Sequence, residues 1–158
     1  MKKRILSLLL ALVMLLGMLP TVALAADDGW DGTTKTAPEK SGDVYQIGTA
    51  AELAWFRDEV NSGKSTLNAT LTADIDLNNQ EWKPIGNSTT HNDENWNPVT
   101  HLFSGTFDGN QHTISGLKIA AATGSEIGLF GLISGATIKN LIVKGSVSVT
   151  VASSAYMP

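Results

Sequence analysis

The sequence contains no cysteine, so disulfide bonds, thiolate metal sites and a cysteine nucleophile are all excluded. Basic residues are also scarce: three of the 11 Lys and Arg residues lie at positions 2–4, which leaves 8 against 15 Asp and Glu. An acidic chain without a basic cluster is poorly suited to bind nucleic acid or an anionic membrane surface. The patterns H-E-x-x-H and G-x-S-x-G are also missing, which excludes the zinc-peptidase site and the serine nucleophile elbow that these patterns mark.

The first 25 residues have the form of a secretory signal peptide. Residues 2–4 are basic, the run from Ile5 to Leu19 is almost wholly apolar, and Ala23-Leu24-Ala25 fits a signal-peptidase site. The run is shorter than the ~20 residues that a membrane-spanning helix needs, so cleavage fits better than a membrane anchor. We therefore expect a secreted or cell-surface protein with no stable membrane insertion after cleavage and a formal net charge of −7.

A polar segment separates the signal peptide from the domain. Residues 26–43 are rich in Gly, Thr and Asp, which predicts a linker or strap ahead of a β-helix domain over 44–158. Trp30 is the one residue in the strap that favours burial, and we expect it to anchor the strap on the domain.

One amphipathic helix is predicted over about residues 50–61. Thr49 can act as its N-cap, and a glutamate three residues later completes a capping box. Leu53, Phe56 and Val60 follow the spacing i, i+3, i+7 and give the helix one apolar face. A helix placed before the first strands can cover the open end of a β-structure.

The next two segments predict a strand and an exposed loop. Residues 71–77 alternate apolar and polar side chains, which predicts a strand with one buried face. Residues 78–101 are polar and hold the candidate ligand-binding residues Trp82, Asp93 and Trp96. Aromatic faces among hydrogen-bonding groups suit a glycan or a host ligand. For Trp82 the alternative is packing onto the first coil of the domain.

A repeat begins near residue 102 and extends to about residue 151. Residues 113–119 align with residues 137–143 at an offset of 24, and a short stretch rich in Phe and Gly precedes each segment. A period in the low twenties, built from short strands and turn glycines, is typical of a solenoid, here a parallel β-helix. The alternative is an antiparallel sandwich, whose strands also recur with turns between them.

Residues 128–131 followed by residues 135–141 resemble the GLUG motif of secreted bacterial surface proteins. The segments upstream are similar to those that usually precede that motif, and the similarity covers about residues 44–145. Gln111 departs from the pattern, since a glycine is common there, and this is expected to alter a turn. The motif positions that we single out are Gly128, Leu129, Phe130, Gly131 and Asn140.

The resemblance implies a right-handed parallel β-helix on a secreted or cell-surface bacterial protein, with adhesin-like proteins among the family. We therefore predict a mainly all-β fold, namely a right-handed parallel β-helix, or solenoid, with one N-terminal amphipathic capping helix. Such proteins usually continue with more repeats, so the chain is expected to be truncated. Further repeats or another chain would then pair with its C-terminal edge.

The acidic residues are the remaining candidates for chemistry. Asp74 and Asp76 lie at i and i+2 of the predicted strand and would share one face, where they could bind Ca²⁺ or act as acid and base. We favour a solvated strand face with turn-capping aspartates. The sequence 108–110, Asp-Gly-Asn, is ordinary tight-turn chemistry, and the three histidines lack metal-ligand spacing. No metal, cofactor or catalytic residue is predicted.

These observations lead to three hypotheses about function. The first is a non-catalytic, secreted or cell-surface β-helix module for adhesion or for binding a glycan or host ligand. The second is the N-terminal part of a carbohydrate-active β-helix enzyme, and the third is a purely structural cap and spacer. The aligned repeats over 113–119 and 137–143 contain no acid, which disfavours the enzyme.

Overall fold

The regular structure of the described residues is mainly β-strand, with a single α-helix near its beginning. The computed structural model describes residues 29–92, 98–121 and 126–149. We number its elements along the chain as follows: β1 (Glu39–Ser41), β2 (Val44–Ile47), α1 (Ala50–Asn61), β3 (Asn68–Leu71), β4 (Ile75–Asp76), β5 (Asn87–Asn92), β6 (Pro98–His101), β7 (Thr106–Asp108), β8 (Thr113–Ala121), β9 (Thr137–Lys139) and β10 (Ile142–Val149). The prediction of a mainly β fold with one helix is confirmed.

Helix α1 spans the predicted residues and begins at the predicted cap. The Thr49 hydroxyl accepts a hydrogen bond from the Glu52 N–H at 3.2 Å, and the Glu52 carboxylate accepts one from the Thr49 N–H at 3.0 Å. These two bonds satisfy N–H groups that have no partner inside the helix. Leu53, Phe56 and Val60 are fully buried, so the apolar face packs against the strands.

The larger sheet has the strand order β1-β2-β3-β7-β9. Strand β1 is antiparallel to β2, whereas the pairs β2–β3, β3–β7 and β7–β9 are all parallel. One inward row runs through this sheet as Tyr45, Ala69, Phe107 and Ile138, each directly opposite the next. Parallel pairing on this scale does not fit the antiparallel-sandwich alternative.

The second sheet has the order β10-β8-β4 and is parallel throughout. Its inward row runs through Ile75, Ile114 and Val143. Strand β8 has an extra residue at Gly116, where φ is +65°, and an added Cβ there would overlap the Asp76 carboxylate. Two isolated parallel bridges, Ile85–Phe130 and Phe103–Ile133, join segments outside both sheets.

The pairing of the repeats differs from the sequence alignment. The alignment sets Thr113 against Thr137, but Thr137 pairs with Thr106, and Thr113 pairs with Ile142. The prediction of a 24-residue offset between the last two repeats is therefore wrong, and the observed offsets are 31 residues in one sheet and 29 at the start of the other. The alignment failed because it matched strand-like residues from two different sheets.

The predicted strand over residues 71–77 is divided between the two sheets. Leu71 ends β3, residues 72–74 turn, and Ile75 begins β4. The alternation of burial nevertheless continues from Leu71 through Ile75 to Leu77, because both sheets face the same core. The antiparallel pair β5–β6 adjoins this body as a separate ribbon.

Four phenylalanine rings form the centre of the core. Phe56 of α1 lies 6.0 Å from Phe103 and 5.8 Å from Phe107, between ring centroids. Phe130 lies 5.4 Å from Phe103 and 5.3 Å from Phe107. Aromatic contacts of this kind stabilise by roughly 0.5–1.5 kcal/mol beyond the burial of area. The rings thus join the helix to successive strands in one apolar cluster.

Candidate functional site

Trp82, a predicted ligand contact, belongs to the core. Its side chain is 2% exposed, and its indole N–H donates to the Leu129 carbonyl at 3.2 Å. The Arg57 guanidinium carbon lies 4.7 Å from the Trp82 ring centroid, and the Trp30 ring lies 5.9 Å away. The ring is therefore packed into the core, as in the alternative that the sequence left open for Trp82.

The same cluster fixes the strap that precedes the domain. Trp30 is 8% exposed, and its indole N–H donates to the Thr34 carbonyl at 2.9 Å. The Asn78 side chain donates to the Trp30 carbonyl at 3.2 Å, and Lys35 pairs with Asp58 of α1. The described part of the strap, from residue 29, therefore packs on the domain with Trp30 as its anchor. The last three residues before the turn at 42–43 form β1, which the sequence did not predict.

Asp93 and Trp96, the other two predicted ligand contacts, lie outside the described residues. They lie in the segment that connects β5 to β6 along the chain. The start of β5 is held to the body of the domain, since the Ser88 N–H and hydroxyl donate to the Glu126 carboxylate at 3.0 and 2.7 Å. The Gly86 N–H donates to the Asn61 side chain at 2.8 Å, which ties the same point to α1.

The Gly-Leu-Phe-Gly motif over residues 128–131 occupies a tight junction between chain segments. Leu129 is 5% exposed, and its carbonyl accepts hydrogen bonds from Trp82 and from the Ile85 N–H. Phe130 enters the aromatic core, as described above. Gly131 permits a close approach of backbones, because an added Cβ would lie 2.5 Å from the Gly86 carbonyl oxygen. The motif residues therefore serve packing.

Asn140 completes a turn against the preceding strand. Its φ is +52°, a left-handed conformation that asparagine tolerates better than most residues. Its amide donates to the Asp108 carboxylate at 3.0 Å, and Lys139 pairs with the same carboxylate at 3.1 Å. The Asn110 N–H, then the Asn140 amide and Lys139, hold the pKa of the Asp108 carboxyl below its usual value.

Asp74 lies just before β4 and Asp76 ends β4, and the two carboxylates bond to different partners. The Asp74 carboxylate accepts from the Thr113 N–H at 2.9 Å and lies 3.1 Å from the His112 ring. These two contacts lower the pKa of the Asp74 carboxyl. The Asp76 carboxylate accepts from the Asn78 N–H at 2.8 Å. Across the described parts of the chain, no group of three or more His, Asp or Glu side chains is placed to hold a metal ion.

The last described segment, residues 133–149, carries an exposed apolar surface, at the C-terminal edge that the sequence was expected to leave for further repeats or another chain. We name this surface the terminal coil. Its exposed large apolar residues are Ile133 (52%), Ile138 (36%), Ile142 (48%), Val143 (42%) and Val147 (51%). Their spacing resembles that of buried strand residues, so the sequence alone does not show which of these side chains are uncovered.

No protein-family model matches the chain, and neither a curated protein nor a solved structure matches it. Within residues 29–92, 98–121 and 126–149, α1 is too short and too polar to cross a bilayer, and no other helix is present there.

Proposed function

We propose that the chain is a non-catalytic, secreted or cell-surface module that uses a right-handed parallel β-helix for adhesion, through a glycan or host ligand. The observation that carries the proposal is the stacking of successive chain segments in two parallel ladders. One ladder runs through β2, β3, β7 and β9, and the other runs through β4, β8 and β10.

The order of the ladders supports a coil that winds around one core. The chain visits the first ladder, then the second, and then returns to the first, as β3 to β4, β7 to β8 and β9 to β10. The bridges Ile85–Phe130 and Phe103–Ile133 supply a third row of parallel contacts between the same successive segments. In this interpretation α1 and β1 cap the first end, and the ribbon β5–β6 is an insertion. The GLUG resemblance points to the same architecture.

The bonding of Asp74 and Asp108 does not suit either carboxyl to act as the general acid of a glycoside hydrolase. Glycoside hydrolysis uses a pair of carboxyl groups, one of which is usually held protonated by a raised pKa. Asp74 and Asp108 instead have lowered pKa values, because each accepts a backbone N–H hydrogen bond, from Thr113 and from Asn110 respectively. A carboxyl that is ionised and bonded in this way is a poor general acid.

The β5–β6 ribbon is the best-supported place for ligand contacts. The start of β5 is hydrogen-bonded to α1 and to Glu126. The segment that carries Asp93 and Trp96 connects β5 to β6 along the chain. Loops held by a rigid scaffold often carry binding residues. Trp96 and Asp93 supply an aromatic ring and a carboxylate, side-chain types that suit a sugar with its C–H faces and hydroxyl donors.

A glycan and extracellular-matrix array tests this function. The wild-type protein should give a saturable signal that Trp96→Ala abolishes and that Trp55→Ala retains. Trp55 is a matched control, since it is a partly buried tryptophan at the capped end of the domain. Circular dichroism verifies that both variants fold. Absence of any signal from the folded protein would favour the cap-and-spacer hypothesis, and release of reducing sugar would favour the enzyme.

A further inference from the structure

The terminal coil contrasts sharply with the layers stacked above it. In the row Ile75, Ile114 and Val143, exposure is 2%, 0% and 42%. Ile119 is 5% exposed, whereas its direct partner Val147 is 51% exposed. Both exposed valines therefore continue apolar rows that are buried one layer earlier. The inward side of β10 lacks a covering layer among the described residues.

Strand β10 is also an edge strand. It pairs with β8 along one side, and no other strand of the described ranges pairs with its second side. Within the described residues, this eight-residue edge, apolar at four positions, forms a template for another strand. The opposite edge of the same sheet is β4, which has only two residues, and the other sheet begins with the three-residue β1, whose exposed Glu39 and Lys40 discourage pairing.

The sequence of β10 is self-complementary about Gly145. If two β10 strands pair antiparallel around this residue, Val143 of one copy faces Val147 of the other, and Lys144 faces Ser146. Both apolar contacts then lie on the inward side, where β10 continues the rows of Ile114 and Ile119. This register satisfies the rule of a two-fold interface, in which residue i contacts j and residue j contacts i.

The charges of the terminal coil agree with this register. Residues 133–149 contain two lysines and no carboxylate, so the coil could not attract a second copy by simple charge pairing. Lys139 is already paired with Asp108 at 3.1 Å, on the neighbouring strand. Like charges directly opposite each other destabilise a sheet. In the proposed register Lys144 faces a serine, so this repulsion does not arise.

We propose that a second copy of this chain covers β10, and that two copies form a symmetric dimer through antiparallel pairing of their β10 strands. The pairing would join the two β-sheets across the two-fold axis and bury Val143 and Val147 of both copies. Because the interface uses one strand edge per copy, association should stop at the dimer.

Sedimentation equilibrium of the purified full chain tests the proposal over about 1 to about 100 μM, a range that covers micromolar dissociation constants. We expect the mass to double across this range for the wild-type protein. Val147→Lys should remain monomeric, because it places a charge at the interface without removing a buried side chain. The matched control Thr70→Lys, on the outward side of β3 in the middle of a sheet, should dimerise like the wild type.

Disulfide trapping tests the register itself, since the chain has no native cysteine. The double variant Lys144→Cys/Ser146→Cys should give a covalent dimer on oxidation, because each cysteine faces its counterpart in the second copy. The mismatched variant Ser146→Cys/Ser148→Cys should give far less. A wild-type protein that stays monomeric, a Val147→Lys variant that still dimerises, or growth beyond the dimer would overturn the proposal.

Discussion

The same isoleucine-to-alanine substitution should lower the free energy of unfolding by different amounts in a buried layer and in an exposed layer of the core. Ile114 and Ile138 lie on inward rows of the two sheets, but Ile114 is fully buried and Ile138 is 36% exposed. Truncation of a fully buried isoleucine to alanine costs about 2–5 kcal/mol, because a cavity adds to the lost transfer free energy. The same truncation of Ile138 should cost about 1 kcal/mol, since the site already opens to solvent.

Urea unfolding, followed by tryptophan fluorescence, measures this difference. With a denaturant dependence of about 1–3 kcal/mol per M, Ile114→Ala should lower the midpoint by about 1–2 M. Ile138→Ala should lower the midpoint by much less. The comparison is made at low micromolar concentration, so that association does not add burial to the terminal coil. Equal losses for the two variants would refute the conclusion that burial ends at the terminal coil.

Three further substitutions test local features. Thr49→Ala removes the capping box of α1 and should lower the free energy of unfolding by about 1 kcal/mol, measured by urea denaturation; an unchanged value would contradict the assigned cap. Gly105→Ala should prevent folding or cost several kcal/mol, because its Cβ would overlap the Leu67 carbonyl oxygen. Its control Gly42→Ala should cost only about 1–2 kcal/mol, for a strained φ of +60° with nothing nearby; similar thermal midpoints for both would refute the close approach. Asp108→Asn should make the free energy of unfolding less dependent on pH in the acid range. The pKa of Asp108 in the folded chain lies below the ordinary 3.8, so the unfolded chain binds more protons there. The stabilisation from Asp108 is therefore complete above pH 3.8 and is lost as pH falls through the folded pKa. Parallel acid limbs of the two proteins would contradict this role.

Local sequence signals predicted the helix and the burial pattern well. The cap at Thr49 and the apolar spacing of Leu53, Phe56 and Val60 are set by residues within one segment, so they could be read directly. The alternation over residues 71–77 also predicted which side chains are buried. It did not predict the bend between β3 and β4, because a strand that turns a corner around one core keeps its alternation.

The pairing of the repeats could not be predicted from residue similarity. Thr113 and Thr137 begin similar sequences, but one begins β8 and the other begins β9, in different sheets. The turn between the sheets is shorter in the last coil, with Lys139 and Ile142 at its ends instead of Asp108 and Thr113. An insertion or deletion within a turn shifts the alignment without changing the strand pattern.

The candidate ligand residues depended on tertiary contacts that the sequence does not reveal. Trp82 lies in a polar stretch and looks exposed, but Trp30 and Arg57 enclose its ring from segments more than 20 residues away. An open C-terminal edge was expected from the sequence, but the exposure of Val143 and Val147 in particular was not, because their spacing is that of core residues. In both cases the role of the side chain depends on whether another segment of the described chain covers it.

The stacking of successive coils is the central claim, and engineered disulfides test it most directly. Thr106 and Thr137 are direct partners in β7 and β9, and paired strands lie about 4.8 Å apart, within reach of a disulfide. The variant Thr106→Cys/Thr137→Cys should therefore form an intramolecular disulfide on oxidation, identified by mass spectrometry of a proteolytic digest. The control Thr113→Cys/Thr137→Cys, which follows the sequence alignment, should remain reduced. Cross-linking of the control pair and not of the first pair would contradict the account.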